Sequence, residues 1–201
     1  DWDNGLVILD ICNPKSLTQV GRYDTAGSAR RVRIQWNYAY VADYNNGLVI
    51  IDISNPKSPI QVGRYDTAGS ALDVYIQGNY AYVADYNNGL VIIDISNPKS
   101  PTQVGRYNTA EYAEGVYVQD SYAYVADYEN GLVIIDVSNP NNPRQVGWYD
   151  TAGDAVGVYI QGSYAYVADY SNGLVIIDIS NPNNPRQVGW YDTAGDAVGV
   201  Y

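Results

Sequence analysis

The segment DYNNGLVIIDISNPKSP, residues 43–59, recurs without change at residues 85–101. Near copies begin at Asp127 and Asp169, and a more divergent copy opens the chain at Asp1. These starts lie 42 residues apart, so the 201 residues hold four full repeats and most of a fifth. The repeats run 1–42, 43–84, 85–126, 127–168 and 169–201. Self-similarity at such a period means one supersecondary unit stacked on copies of itself, and the chain reads as a single domain. Residues 138–159 and 180–201 are identical, so the duplication is recent or homogenised.

One repeat reads as four strands. ALDVYIQG (71–78) alternates Leu72, Val74 and Ile76 against Asp73, Tyr75 and Gln77, a strand with two unlike faces. NYAYVADY (79–86) places Tyr80, Tyr82 and Ala84 on one face and Ala81, Val83 and Asp85 on the other. Asn-Gly then signals a tight hairpin, because both residues tolerate positive φ. LVIIDIS (90–96) is apolar and β-branched, as expected of a strand covered on both faces. NPKSP turns the chain into a more polar fourth strand, TQVGRYNT (102–109). No segment has a 3.6-residue period, which excludes a helical repeat. A β-solenoid is the structural alternative, but its coils are shorter and lack regular Asn-Gly hairpins. The expected fold is an all-β propeller of four-stranded antiparallel blades, strands A to D running from a central channel outward, with small Ala and large Tyr suiting wedge-shaped blades.

Composition removes several functional classes. A net charge of −11 and an isoelectric point near 4.1 argue against a nucleic-acid partner and against charge-driven binding to anionic membrane. No apolar run is long enough to insert in a bilayer as a helix. There are 22 Tyr and 4 Trp but no His, so the commonest general base and zinc ligand are missing. Cys12 stands where the other copies have Ser54, Ser96, Ser138 and Ser180, so no disulfide framework is expected. With no Met and a start within a repeat, the expectation is an excerpt or a processed piece.

GLVIIDISNP, preceded by YAYVADYNN, resembles the LVIVD repeat, and YAYVADY is similar to the YVTN surface-layer propeller repeat. The resemblance covers essentially the whole chain. It implies a four-stranded blade in a bacterial or archaeal protein that is extracellular or on the cell surface. It implies no set of catalytic residues.

Recurring polar residues have structural explanations ready. Asp52, Asp94, Asp136 and Asp178, just before Ser-Asn-Pro, suit a carboxylate that accepts turn N–H groups. The sharper alternative is a Ca²⁺ ligand, the one cofactor the sequence suggests. Asp43, Asp85, Asp127 and Asp169 precede the hairpins and take the same structural reading. A carboxylate pair could hydrolyse glycosides. An active site is normally a departure from symmetry, however, and these acids recur in every copy.

Symmetry breaks in one stretch. It reads GSARRVRIQW (27–36), GSALDVYIQG (69–78), EYAEGVYVQD (111–120), GDAVGVYIQG (153–162) and GDAVGVY (195–201). The candidate partner rim is therefore Arg30, Arg31, Arg33, Asp73, Glu111, Tyr112, Glu114, Asp154 and Asp196. Arg beside Asp in the next copy reads as charge pairing between neighbours or as an anion site. The expected function is a non-enzymatic structural or adhesive module that binds itself or another surface protein. The alternatives are a multivalent lectin-like glycan binder and, less favoured, a glycan-processing enzyme.

The ends join into a composite blade that lacks a strand equivalent to IQGSYAYVA (160–168), so the expectation is either a cut-out from a longer polypeptide or a subunit that self-assembles by borrowing the missing strand from a neighbour. With 22 acids against 11 bases, stability should rise with NaCl. Melting in Ca²⁺ and Na⁺ at matched ionic strength tests for calcium. A shift in Ca²⁺ alone identifies sites, and superimposed curves remove them.

Overall fold

The computed structural model describes residues 5–201; the Asp1 copy of the repeat start lies outside them. Eighteen strands make five antiparallel sheets. The first sheet pairs β1 (Leu6–Asp10) with β2 (Thr18–Tyr23). The second holds β3 (Arg31–Gln35), β4 (Tyr38–Ala42), β5 (Leu48–Asp52) and β6 (Ile60–Tyr65) in chain order. The third repeats this with β7 (Asp73–Gln77), β8 (Tyr80–Ala84), β9 (Leu90–Asp94) and β10 (Thr102–Tyr107). The fourth has β11 (Gly115–Gln119), β12 (Tyr122–Ala126), β13 (Leu132–Asp136) and β14 (Arg144–Tyr149). The fifth has β15 (Gly157–Gln161), β16 (Tyr164–Ala168), β17 (Leu174–Asp178) and β18 (Arg186–Tyr191).

The expected strands are present but shorter. The strand expected from residue 71 begins at Asp73, because Ala71 instead pairs with Tyr44 on the preceding sheet. The hairpin also differs from expectation. Positive φ falls on Tyr44 (50°) and Gly47 (73°), not on the asparagines. Asn46 is held by its side chain, which donates to Asp43 Oδ2 at 2.8 Å and to the Thr25 carbonyl at 2.7 Å. Tyr44 is held by its backbone, in two hydrogen bonds of 3.0 Å with Ala71. Tyr86, Tyr128 and Tyr170 repeat that strained geometry.

The period-2 alternation makes every complete sheet two-faced, and neighbouring faces bury each other. Tyr40, Ala42, Leu48 and Ile50 pack against Val74, Ala81, Val83, Val91 and Ile93 of the next sheet. Tyr82, Ala84, Leu90 and Ile92 leave the other face and meet Val116, Val118, Ala123 and Val125. The same packing joins the fourth sheet to the fifth. Ile50, Ile51, Ile92 and Ile93 are fully buried, each contributing about 1.5–3 kcal/mol by leaving water.

Polar ladders stitch the same junctions. Gln35 donates to the Gly78 carbonyl at 3.0 Å and Gln77 to that of Asp120 at 2.9 Å. On the outer strands Tyr65 meets Gln103 at 3.3 Å and Tyr107 meets Gln145 at 2.9 Å. Each outer strand is also bulged, its register slipping beside a glycine, as at Gly63 and Gly105. There the next sheet comes very close. A Cβ on Gly63 would stand 2.0 Å from the Pro98 carbonyl oxygen, and one on Gly105 would stand 1.9 Å from that of Pro140.

Gly189 has the same sequence surroundings, but the nearest atom to an added Cβ is Ile176 Cδ1 at 3.3 Å. Gly105→Ala should therefore cost about 2 kcal/mol or more, while Gly189→Ala should cost under about 1 kcal/mol. Urea unfolding of the two variants checks this, and equal losses would refute the account of the junction.

Candidate functional site

The variable stretch lies at the end of the sheets that carries the Asn-Gly hairpins, and it is built on a repeated polar knot. Asp43 is fully buried beside its hairpin. It accepts from Thr25 Oγ1 at 2.6 Å and from the Asn46 amide at 2.8 Å. Asp85 accepts from Thr67 at 2.5 Å and from Asn88 at 3.0 Å, and Asp169 does the same with Thr151 and Asn172. The knot forbids a side chain on the loop above it. A Cβ on Gly27 or Gly69 would sit 2.5 Å from the Asp43 or Asp85 carboxylate.

The third repeat has Glu111 at that glycine position, and its loop is rebuilt. Ala26, Ala68, Ala152 and Ala194 take positive φ, whereas Ala110 does not. Thr109 turns its hydroxyl to the Glu111 carbonyl at 3.4 Å, leaving Asp127 Oδ1 buried without a hydrogen-bond partner. Glu111 N–H donates to Asp127 Oδ2 at 3.2 Å. The rebuilt loop seats Tyr112 between two hairpin tyrosines. Its ring stacks on Tyr86 at 4.3 Å and 15°, and lies tilted against Tyr128 at 5.7 Å.

At the equivalent places stand Ser28, Ser70, Asp154 and Asp196. Hydrogen bonding to Asp154, together with its charge, raises the Tyr128 hydroxyl above its ordinary pKa, and Asp196 does the same to Tyr170. Four rim residues read from the sequence, Glu111, Tyr112, Asp154 and Asp196, thus belong to the row of hairpin tyrosines.

The basic residues stand apart from that row. Arg30, Leu72, Glu114, Val156 and Val198, each 42 residues from the next, line one cavity together with Arg31 and Tyr170. Arg31 Nε lies 3.2 Å from Asp73 Oδ1, and its Nη1 donates to the Tyr201 hydroxyl at 2.6 Å. Asp73 also accepts from the N–H groups of Val74 at 2.8 Å and Val116 at 3.1 Å. Burial raises the Asp73 carboxyl despite Arg31, and burial raises Glu114 against the pull of Arg30. The Arg30 guanidinium lies 4.8 Å from the Tyr44 ring centroid. Arg33 lies further along β3, where its charge bears on Tyr75. The Tyr75 ring packs on Tyr117 at 4.6 Å, and burial with that contact raises its hydroxyl to about 12.

Other recurring groups take structural partners. Asp52 and Asp94 accept from Ser54 and Ser96 N–H at 2.8 Å. Trp190 donates its indole N–H to the Asn172 carbonyl at 2.6 Å, as Arg64 Nε does to the Asn46 carbonyl at 2.9 Å. Among the described residues no three His, Cys, Asp or Glu side chains converge as metal ligands. Each YNNG turn exposes a tyrosine and amide groups together in the sequence itself, but their alignment into one row joined by Tyr112 appears only in the structure. The available signal was that glycine and the residue after it change together, to Glu111 and Tyr112.

A family model described as the LVIVD repeat matches residues 1–25, 26–67, 68–109, 110–151 and 152–193. No curated protein matches the chain.

The buried knot makes stability depend on pH. Burial raises Asp43, Asp127 and Asp169, and raises Asp85 to about 6. Between the unfolded value of 3.8 and about 6 the folded chain therefore holds more protons, and stability falls as pH rises through that window. Asp52, Asp136 and Asp178 act oppositely. Turn hydrogen bonds lower them, so their contribution is lost as pH falls below 3.8. The melting temperature should peak near pH 4–5 and drop by roughly 3–6 °C toward pH 7.5. Asp85→Asn should reduce stability and flatten part of that slope; a wild-type profile level from pH 5 to 7.5 would contradict the assignment.

Proposed function

The chain belongs to the LVIVD-repeat family, and from that premise we propose that its five sheets form a five-bladed propeller, open at the outer strands between the fifth sheet and the first, serving as a non-enzymatic structural and protein-binding module. The observation that carries the ring is the single cavity lined by the five equivalent positions Arg30, Leu72, Glu114, Val156 and Val198. The bond from Arg31 to Tyr201, 170 residues apart, supports it by joining the first complete sheet to the last repeat. On this reading the 42-residue period corresponds to one blade per repeat, with β3, β7, β11 and β15 innermost.

The non-enzymatic reading rests on where the acids are spent. The Asp43 set serves the hairpin knots, the Asp52 set ties turns, and Asp73 is bound to Arg31 and two N–H groups. The protein acts outside the cell or at its surface, the setting that the repeat's resemblance implies.

The partner it fits best is a strand of its own repeat sequence. Among the described residues β1 pairs only with β2, whereas β5, β9, β13 and β17 each have a Tyr-Ala-Tyr-Val-Ala strand on their inner edge. The vacant place is an apolar groove lined by Leu6, Val7, Ile8, Leu9, Val32, Ile34, Ile53 and Pro56. Leu9 is 47% exposed and Ile34 57%, while Ile51, the counterpart of Leu9, is fully buried. An unpaired edge beside such a groove recruits a strand by backbone pairing and alternate side-chain burial. A Tyr-Ala-Tyr-Val-Ala strand offered by a second copy fits this groove, and on this reading the module self-assembles through it.

A labelled peptide with the sequence of residues 160–168 should bind the 201-residue chain with micromolar affinity and suppress its concentration-dependent association in light scattering. Ile34→Lys should abolish peptide binding without lowering the melting temperature, because Ile34 is already exposed. A chain that stays monomeric and ignores the peptide would refute self-assembly through this groove.

A further inference from the structure

The cleft lined by Ala26, Gly27, Ser28, Tyr44, Asn45 and Asn46 has a volume of about 350 Å³. Moving 84 residues along the chain turns this set into Ala110, Glu111, Tyr112, Tyr128, Glu129 and Asn130. The sequence counterpart of Ser28 is Tyr112, carried on the rebuilt loop of the third repeat. There the ring lies 5.7 Å from Tyr128, the counterpart of Tyr44. The third repeat thus sets an aromatic ring beside its hairpin tyrosine, whereas the first leaves a cleft beside Tyr44.

We propose that the Tyr44 cleft is a carbohydrate site that takes a single pyranose ring of a glycan. A pyranose offers an apolar C–H face to an aromatic wall and hydroxyls around its edge. The cleft supplies the edge and one face of the Tyr44 ring, whose other face Arg30 covers, with the Ser28 hydroxyl, the Asn45 amide and the Asn46 Oδ1, the Asn46 N–H groups being held by Thr25 and Asp43. A few polar groups around an aromatic surface are what fix such a ligand's orientation. A planar aromatic side chain would have no use for polar groups on three sides, so the lining favours a sugar.

The second repeat carries the same serine in altered surroundings. Ser70 is the counterpart of Ser28 beside the next hairpin, and its hydroxyl donates to Asn45 Oδ1 at 3.0 Å, while the Tyr86 ring there is stacked by Tyr112. Asp154 and Asp196 occupy the later positions with carboxylates engaged by Tyr128 and Tyr170. Sugar binding is therefore expected beside Tyr44. The proposal does not depend on propeller closure or on the β1 groove, which lie elsewhere in the chain.

Saturation-transfer NMR with a panel of methyl hexopyranosides and their short oligomers tests it, with p-cresol as the aromatic control. At least one sugar should receive saturation, strongest on the C–H groups of one ring face. Ser28→Tyr, which supplies the self ring that Tyr112 provides naturally, should weaken binding about tenfold or more while leaving the melting temperature unchanged or higher. Ser28→Ala leaves the cleft open and should change affinity by less than about threefold. The proposal is overturned if no sugar of the panel binds, or if p-cresol binds and no sugar does. It is also overturned if binding survives both Ser28→Tyr and Tyr44→Ala in folded protein.

Discussion

A buried carboxylate at the head of each hairpin governs what the rest of the repeat can do. Asp43 and its copies have no solvent exposure, so each must be met by several donors or remain costly. The donors come from two directions: a threonine 18 residues earlier and an asparagine three residues later. Through them the outer strand of one repeat is tied to the hairpin of the next. That tie orders the connecting loop and leaves room only for glycine at positions 27, 69 and 153. It also frees Asn46 from the left-handed conformation that its place before glycine suggests. The strain passes to Tyr44, which two backbone bonds to the neighbouring sheet hold in place. A row of tyrosines along one end of the sheets is thus a mechanical consequence of a polar knot underneath.

The same knot explains why one repeat is unlike its siblings. Glu111 cannot occupy the glycine geometry, because its Cβ would meet the carboxylate below. The loop moves, the threonine hydroxyl is diverted, and one oxygen of Asp127 loses its partner. That loss costs about 1–3 kcal/mol. Tyr112 gains two aromatic neighbours in the rebuilt loop, each such pair worth about 0.5–1.5 kcal/mol. The substitutions at 111 and 112 therefore form one structural event, in which an aromatic stack offsets a damaged knot.

Much of the fold was legible because strand alternation maps directly onto burial. Tyr82 and Ala84 face one neighbour while Ala81 and Val83 face the other, as the period of two requires. The bulge in every outer strand was not legible, since it answers to a contact with another repeat: the carbonyl of Pro98 pressing on Gly63. Nor could the burial of Asp43 be read, because aspartate before Asn-Asn-Gly suits an exposed turn equally well. The variable residues were visible as a set, but the sequence could not divide them. The structure sends Arg30, Arg31 and Glu114 to one cavity, and Tyr112 and Asp154 to the row of tyrosines.

That division shows how near-identical repeats come to differ in use. Packing positions between sheets cannot drift, since each one fills a space shaped by two neighbours and lost volume costs several kcal/mol. The loop residue beside each hairpin tyrosine touches solvent on one side, so it can change at small cost provided the glycine before it stays. Where both change, the loop is rebuilt and the cleft closes on its own side chain. Where serine remains beside Tyr44, a cleft stays open next to the tyrosine with amide and hydroxyl groups around it. Surface chemistry in this chain therefore varies one repeat at a time on a frame that the buried aspartates hold constant.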